Sequence, residues 1–310
     1  MRASLFILPI ALAATVGCSS GNTVIDLPIT DAAPDPAKPD AYFAPPIDDA
    51  SALDAAVDGH GDDHFVWPDC TQQPAGVPTK SIAEVWSDNP AKPLQVWLPG
   101  VYVTALSKGA CTAGNACDVY VQQDVTYPSL AAGAHKAIKL FVSPNTSMYF
   151  PALAVDDRID VMAWAYRNHQ NNQNELILEV LQTLPGCAHK VGTGKTTPVS
   201  GVQLSDLTLA AIEDTTGPLY VQVTSVRGTP GLPGETFGLG NAFFDGGGGG
   251  AIVSLSPFFL TGGVFAGLVQ GKKTTFKSVS GVFGLFTPAS DASVAKYLEI
   301  YPRTMTEVVQ

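Results

Sequence analysis

The chain has 310 residues, 15% of them charged, with a formal net charge of −11 at pH 7. Beyond its first residues no apolar stretch approaches the roughly 20 residues that span a bilayer, which excludes a transmembrane helix in the mature protein. No long block of clustered Lys and Arg occurs, which argues against a body that grips nucleic acid by charge.

The chain starts with Met1-Arg2, a short positive region, followed by an apolar run from Leu5 to Val16 broken only by Pro9 and Thr15. Gly17 and Cys18 close it. This is the charge, length and small-residue end of a secretory signal, so residues 1–17 are predicted to be a signal peptide. Thr15-Val16-Gly17-Cys18 resembles a bacterial lipobox. That resemblance implies lipidation of Cys18, which becomes the mature N-terminus. Thr15 stands where an aliphatic residue is usual, so an ordinary signal-peptidase cut is the alternative. Ser19, where a retention signal carries Asp, implies delivery to the outer membrane. The expected location is the bacterial envelope, with the membrane as partner through the lipid and the body facing either periplasm or exterior.

Residues 18–78 form a predicted disordered tether. The segment Asp31-Ala-Ala-Pro-Asp-Pro-Ala-Lys-Pro-Asp40 is typical of it. Positions 19–78 hold 11 acidic residues and one base, a net of −10, with no helical or strand period. Such a segment cannot bury enough apolar surface to offset its ordering entropy. Sixty flexible residues reach on the order of 45 Å root-mean-square. Asp58-Gly-His60-Gly-Asp-Asp63-His64 gathers metal-ligand types, but its spacing matches no strong metal motif, and it reads as a charged tether end. No metal and no cofactor is expected. The remaining 79–310 has 15 bases and 17 acids, a net of −2, so the acidity belongs mainly to the tether.

With Cys18 set aside, Cys70, Cys111, Cys117 and Cys187 remain. An even number in an exported protein implies disulfides. Cys111 and Cys117 flank the turn-like Thr-Ala-Gly-Asn-Ala and are paired across a hairpin loop, leaving Cys70 with Cys187.

Period-two alternation and valine or aromatic content predict strands over 95–106, 118–124, 138–143, 157–167 and 175–182, with a short helical patch near 147–153. Five strands in so short a span suit a small barrel of the OB type. Pro99-Gly-Val-Tyr-Val-Thr-Ala105, Val119-Tyr-Val-Gln-Gln-Asp124, Val155-Asp-Asp-Arg-Ile-Asp-Val161 and Asn174-Glu-Leu-Ile-Leu-Glu179 follow one another. This succession resembles the OB-fold modules found beside secreted bacterial endonuclease and exonuclease domains, over roughly 79–185. Asp156 and Ala163 depart from it, each replacing a glycine. A second part repeats the plan more loosely in Gly217–Val226, Phe276–Phe286 and Lys296–Arg303, the last with its terminal Pro-Arg. The predicted architecture is all-β: two tandem small OB-like barrels, 79–190 and 191–310, after the tether. No stretch is left for a nuclease domain.

Gly192-Thr-Gly-Lys195-Thr196 is part of a phosphate-loop pattern, but His189 stands where the first glycine is needed, and Pro198 follows instead of a helix. It reads as a flexible linker. The run Gly246–Gly250 reads as a mobile loop. His135, His169 and His189 sit in no nucleophile or metal motif, and Asp156, Asp157 and Asp160 read as solvated acids, so no catalytic residue is assigned and no enzyme is expected. Alternation in 157–167 puts Ile159, Val161, Ala163 and Ala165 inside and Trp164 and Tyr166 outside, with Tyr120 and Gln122 outside on the neighbouring strand. These four are the candidate ligand face, where aromatics would stack bases or sugar rings. The alternative is that the second module or a loop covers them. The expected function is therefore an envelope-anchored binding module of unknown ligand. A single-stranded nucleic-acid-binding protein is an alternative that charge disfavours, with Lys272-Lys273-Thr-Thr-Phe-Lys277 the only basic patch. An enzyme with an unrecognised site is the other alternative.

Overall fold

The structure, a computed structural model, describes residues 67–310 apart from 108–114, 169–173, 231–240, 246–252, 261–264, 266–267, 270 and 287–296. Cys18, Cys111, the histidine-bearing tether cluster, His169 and the five-glycine run lie outside the described residues.

The first described residues are already packed. Trp67 donates its indole N–H to the Gly186 carbonyl at 2.6 Å. Cys70 is disulfide-bonded to Cys187 with Cα atoms 5.6 Å apart. The expected tether thus ends short of 78, because 67–78 has barrel partners. Helix α1 (Ile82–Asp88) follows, set by a capping box in which the Ser81 hydroxyl accepts from Glu84 N and the Glu84 carboxylate accepts from Ser81 N. Its Ile82, Val85 and Trp86 share one face at helical spacing and are buried.

Six strands make the first sheet: β1 (Leu94–Leu106), β2 (Cys117–Gln122), β3 (Ala137–Val142), β4 (Asp157–Asn168), β5 (Glu175–Val180) and β6 (Cys187–Thr193). The order β1-β2-β3-β5-β4 closes through β4 pairing with β1, and only β3–β5 is parallel. This is the five-strand OB arrangement. β1 serves two partners by bending at a bulge between Leu98 and Val101, where Gly100 holds φ +66°. The side chains predicted inside are inside: Ile159, Val161, Ala163 and Ala165 join Val119, Val121 and Leu140 in the core. β6 pairs along β4 outside the ring and runs to Thr193, past the module boundary expected at 190.

The second sheet holds β7 (Val199–Val202), β8 (Tyr220–Pro230), β9 (Ala242–Phe244), β10 (Val253–Leu255), β11 (Thr274–Phe286), β12 (Tyr297–Tyr301) and β13 (Val308–Val309). Its ring β8-β9-β10-β12-β11-β8 repeats the first ring's order, again with one parallel pair, β10–β12. The fold is therefore all-β, two closed five-strand barrels with short helices. The segment read as a flexible linker is tied down instead. Gly194 N donates to the Asp156 carbonyl and Thr197 N to Val125. A Cβ on Gly194 would lie 2.6 Å from the Tyr102 ring.

Candidate functional site

The four residues expected on one ligand face are split between two environments. OB barrels bind oligomers on the face of their second and third strands. In the first barrel that face is Tyr120 and Gln122 on β2 with Ala137 and Lys139 on β3, and all four are buried. The second barrel supplies the cover. The Tyr120 ring lies 5.5 Å from Phe259 and 6.2 Å from Tyr301, in one cluster with Tyr220 and Val282. Ala137 and Tyr127 belong to the second barrel's core cluster. Gln122 turns its amide to the Asp124 carbonyl at 2.6 Å. Tyr120 and Gln122 are thus packing residues, because the strand alternation that turns them outward turns them toward another barrel.

Trp164 and Tyr166 stay half-buried on the adjoining wall. The loop after β5 covers Trp164, which packs with Phe141, Leu181 and Leu184 and donates its indole N–H to the Pro185 carbonyl. Tyr166 hydrogen-bonds Glu179, whose carboxyl is pushed up by burial and pulled back by that bond.

A polar seam runs through this wall and under the second barrel. Lys139 Nζ stands 3.4 Å from Glu175 Oε2, and both side chains are buried. Burial pushes the Glu175 carboxyl above the carboxylate range, against the pull of Lys139. On the second barrel's closing strand, Glu299 holds the register that Glu179 holds on β5: Phe141 and Trp164 flank the one, Ser254 and Gly284 the other. Glu299 accepts from Asn241 Nδ2 at 2.6 Å, and burial lifts its carboxyl to about 7 despite Tyr301, Ser256, Asn241 and Ser254 around it.

Two arginines that sequence reasoning passes over brace the barrels. Arg303 Nε donates to Glu307, Nη2 to the Tyr220 hydroxyl at 2.7 Å and Nη1 to Thr196 Oγ1 at 2.9 Å. Thr196 in turn donates from N and Oγ1 to Asp156 Oδ1. The signal was the Pro-Arg that ends Lys296–Arg303, just after β12. Arg167 reaches from β4 to Asn89 Oδ1 and to the carbonyls of Asn174 and Glu213. It floors an open hollow of about 290 Å³ lined also by Ala91 and Asp214. With Nε and Nη1 so engaged, it acts as a strut. A larger hollow of about 610 Å³ lies on the second barrel between Gln203, Leu204, Thr224, Arg227 and Asp245.

The three aspartates expected to be solvated are not alike. Asp157 is buried and pairs with Lys190, while Asp160 accepts from Gly100 N. His135 stacks on Trp86 and bonds the Asp214 carbonyl. Lys273 of the basic patch pairs with Asp245. Cys117 is disulfide-bonded. No group of three metal-ligating side chains occurs among the described residues.

No family model and no curated protein matches the sequence. Among solved structures, the chain aligns with one assigned as an aspartyl-tRNA synthetase from Leishmania major Friedlin (10% identity, 43% of this chain and 24% of that one, TM-score 0.26). It also aligns with a murine DNA-binding protein bound with double-stranded DNA (12%, 67% and 93%, 0.28). A third is a replication protein A heterotrimer bound to single-stranded DNA (13%, 76% and 52%, 0.28). The chain thus spans about a quarter of the first and half of the third. Likeness at this level carries no functional argument, and the fold rests on the strand order.

Proposed function

We propose that the chain is an envelope lipoprotein, anchored through Cys18, whose paired OB barrels serve as a non-catalytic interaction body. The observation that carries the reading is the fate of the first barrel's β2–β3 face. A module that threads single-stranded nucleic acid needs that face open and basic. Here Tyr120 is covered by Phe259 and Tyr301, and the neighbouring cation Lys139 is taken by Glu175. Recognition then falls to the outside of the tandem, where Trp164 and Tyr166 are half-exposed. The anchor reading rests on the sequence of residues 1–18 and on the acidic tract after it.

Two measurements test the proposal. The mature chain is titrated with short single-stranded DNA at low and moderate salt while tryptophan emission is followed. No saturable change is expected. Salt-sensitive saturation that disappears in Trp164→Ala would establish nucleic-acid binding instead. For the anchor, cells fed a labelled fatty acid should label the wild type and not Cys18→Ser. An unlabelled wild type would mean ordinary signal cleavage.

A further inference from the structure

Five large apolar side chains stand exposed among the described residues: Met148, Tyr149, Val191, Val269 and Val309. Single exposed apolar residues are ordinary. Met148 and Tyr149 are not single. They are adjacent on the 3-10 turn Ser147–Tyr149 between β3 and β4, 58% and 47% exposed. Tyr149 stacks flat on Trp67, with ring centroids 4.3 Å apart and planes at 11°. Trp67 is where residues 19–66 join the barrel. The root of that segment is fixed: Trp67 is bonded to Gly186, and Cys70 is bridged to Cys187.

We propose that Trp67, Met148 and Tyr149 form a surface that rests on the lipid–water interface, an inference that stands on the lipid anchor at Cys18. Trp67 is the described residue nearest in sequence to the Cys18 anchor, so this patch lies at the end of the body to which the anchor leads. Of the five exposed large apolar side chains among the described residues, Met148 and Tyr149 stand together, and Tyr149 is stacked on that root residue. Trp and Tyr favour the headgroup level, where an apolar ring meets a polar edge. Met148 adds a flexible apolar chain with no hydrogen-bonding demand. A sugar ring is a poorer occupant, because it needs polar partners, the Trp67 N–H is committed to Gly186, and Met148 offers none.

The test uses the mature lipidated chain reconstituted into phosphatidylethanolamine–phosphatidylglycerol vesicles, with and without bromine-labelled acyl chains as a contact quencher. The chain has four tryptophans, and Trp86 and Trp97 are buried. Bromolipid is expected to remove about a quarter of the emission, the share of one tryptophan at the interface. That loss should vanish in Trp67→Phe and shrink at least twofold in Met148→Ser/Tyr149→Ser. Flotation separates the two claims. A chain that does not float with vesicles defeats the anchor reading. A chain that floats but is not quenched, or is quenched equally in Trp67→Phe, overturns the interface proposal alone. Self-association in sedimentation that the double variant abolishes, without quenching, would assign the patch to a second copy and overturn it as well.

Discussion

At the scale of single residues, two acidic side chains tie chemistry to fold. Asp156 holds φ +72°, a conformation that costs most residues about 1–2 kcal/mol and that Asp tolerates better than most. The resembled modules place glycine there, and the exchange now has a reason: Oδ1 collects both Thr196 donors and lies 3.6 Å from Arg303 Nη1. Replacing Asp156 by Gly relieves the backbone but removes two charge-assisted bonds. The side chain is partly exposed, so a net loss of about 1–3 kcal/mol is expected, read from the urea midpoint. Asp156→Ala should lose roughly 1 kcal/mol more, because alanine keeps the strain and makes no bonds. Equal stability of wild type and the glycine variant would show that the network does no more than offset the backbone strain at this position. Glu299 sets a pH dependence. Its folded pKa is raised from 4.5 to about 7, chiefly by burial. The folded state therefore keeps a proton that the unfolded state releases near 4.5. The stability tied to that proton is fully present below 4.5 and is lost as pH rises through about 7. Glu179 and Glu175 are shifted the same way. Thermal scans should show a higher Tm at pH 5 than at pH 8. Glu299→Gln should shrink the difference and gain on the order of 2–3 kcal/mol at pH 8. An unchanged pH profile in that variant would mean Glu299 does not titrate in this range.

At the scale of elements, the Cys70–Cys187 bridge closes a long loop, with a sequence separation of 117. It sits in a cluster with Val77, Trp97 and Met162, so its loss opens packing as well as a loop. The entropic model gives about 5 kcal/mol as an upper guide. Cys70→Ala/Cys187→Ala is expected to cost about 2–5 kcal/mol and to expose β6 to protease first, since β6 lies outside the closed ring. Protease resistance of β6 in that variant would show that its pairing to β4 suffices alone. The same elements show what a sequence discloses. β1 to β5 were legible through alternation or through valine and aromatic content, and β8, β11 and β12 through their likeness to the strands of the resembled modules. Cys187–Thr193 has no such alternation: it is held by backbone pairing and the disulfide, neither of which leaves a period. β9 and β10 have three residues each, too few to show one. Helix α1 did leave a sign, Ser81 and Glu84 at capping-box spacing, but a search for period two passes over it.

At the scale of the whole molecule, the described residues from Trp67 onward belong to one compact unit, and the contacts between barrels decide what the candidate face does. Alternation correctly turns Tyr120 away from the first barrel's core, yet no local pattern tells whether water, ligand or protein meets the outward side. That depends on partners distant in sequence: Phe259 and Tyr301 meet a residue of β2, and Arg303 meets Thr196. The consequence is cooperativity between the barrels, and the sequence supplies a clean reporter of it. All four tryptophans, Trp67, Trp86, Trp97 and Trp164, belong to the first barrel and its flanks, so their emission follows that barrel, whereas far-UV circular dichroism follows both. In the wild type the two urea transitions should coincide, because unfolding the second barrel would uncover Tyr120 and strip Thr196 of Arg303. Truncating Tyr120 to alanine removes the first barrel's ring from the aromatic contact with Phe259 and Tyr301 and should cost about 3–5 kcal/mol. Combined with Arg303→Met, which deletes the guanidinium and keeps much of the stem, it should uncouple the barrels. The circular-dichroism transition would then broaden or divide, with tryptophan emission tracking only one part. If both probes still coincide in the double variant, the coupling resides in the other joint, where Arg167 and His135 hold the carbonyls of Glu213 and Asp214.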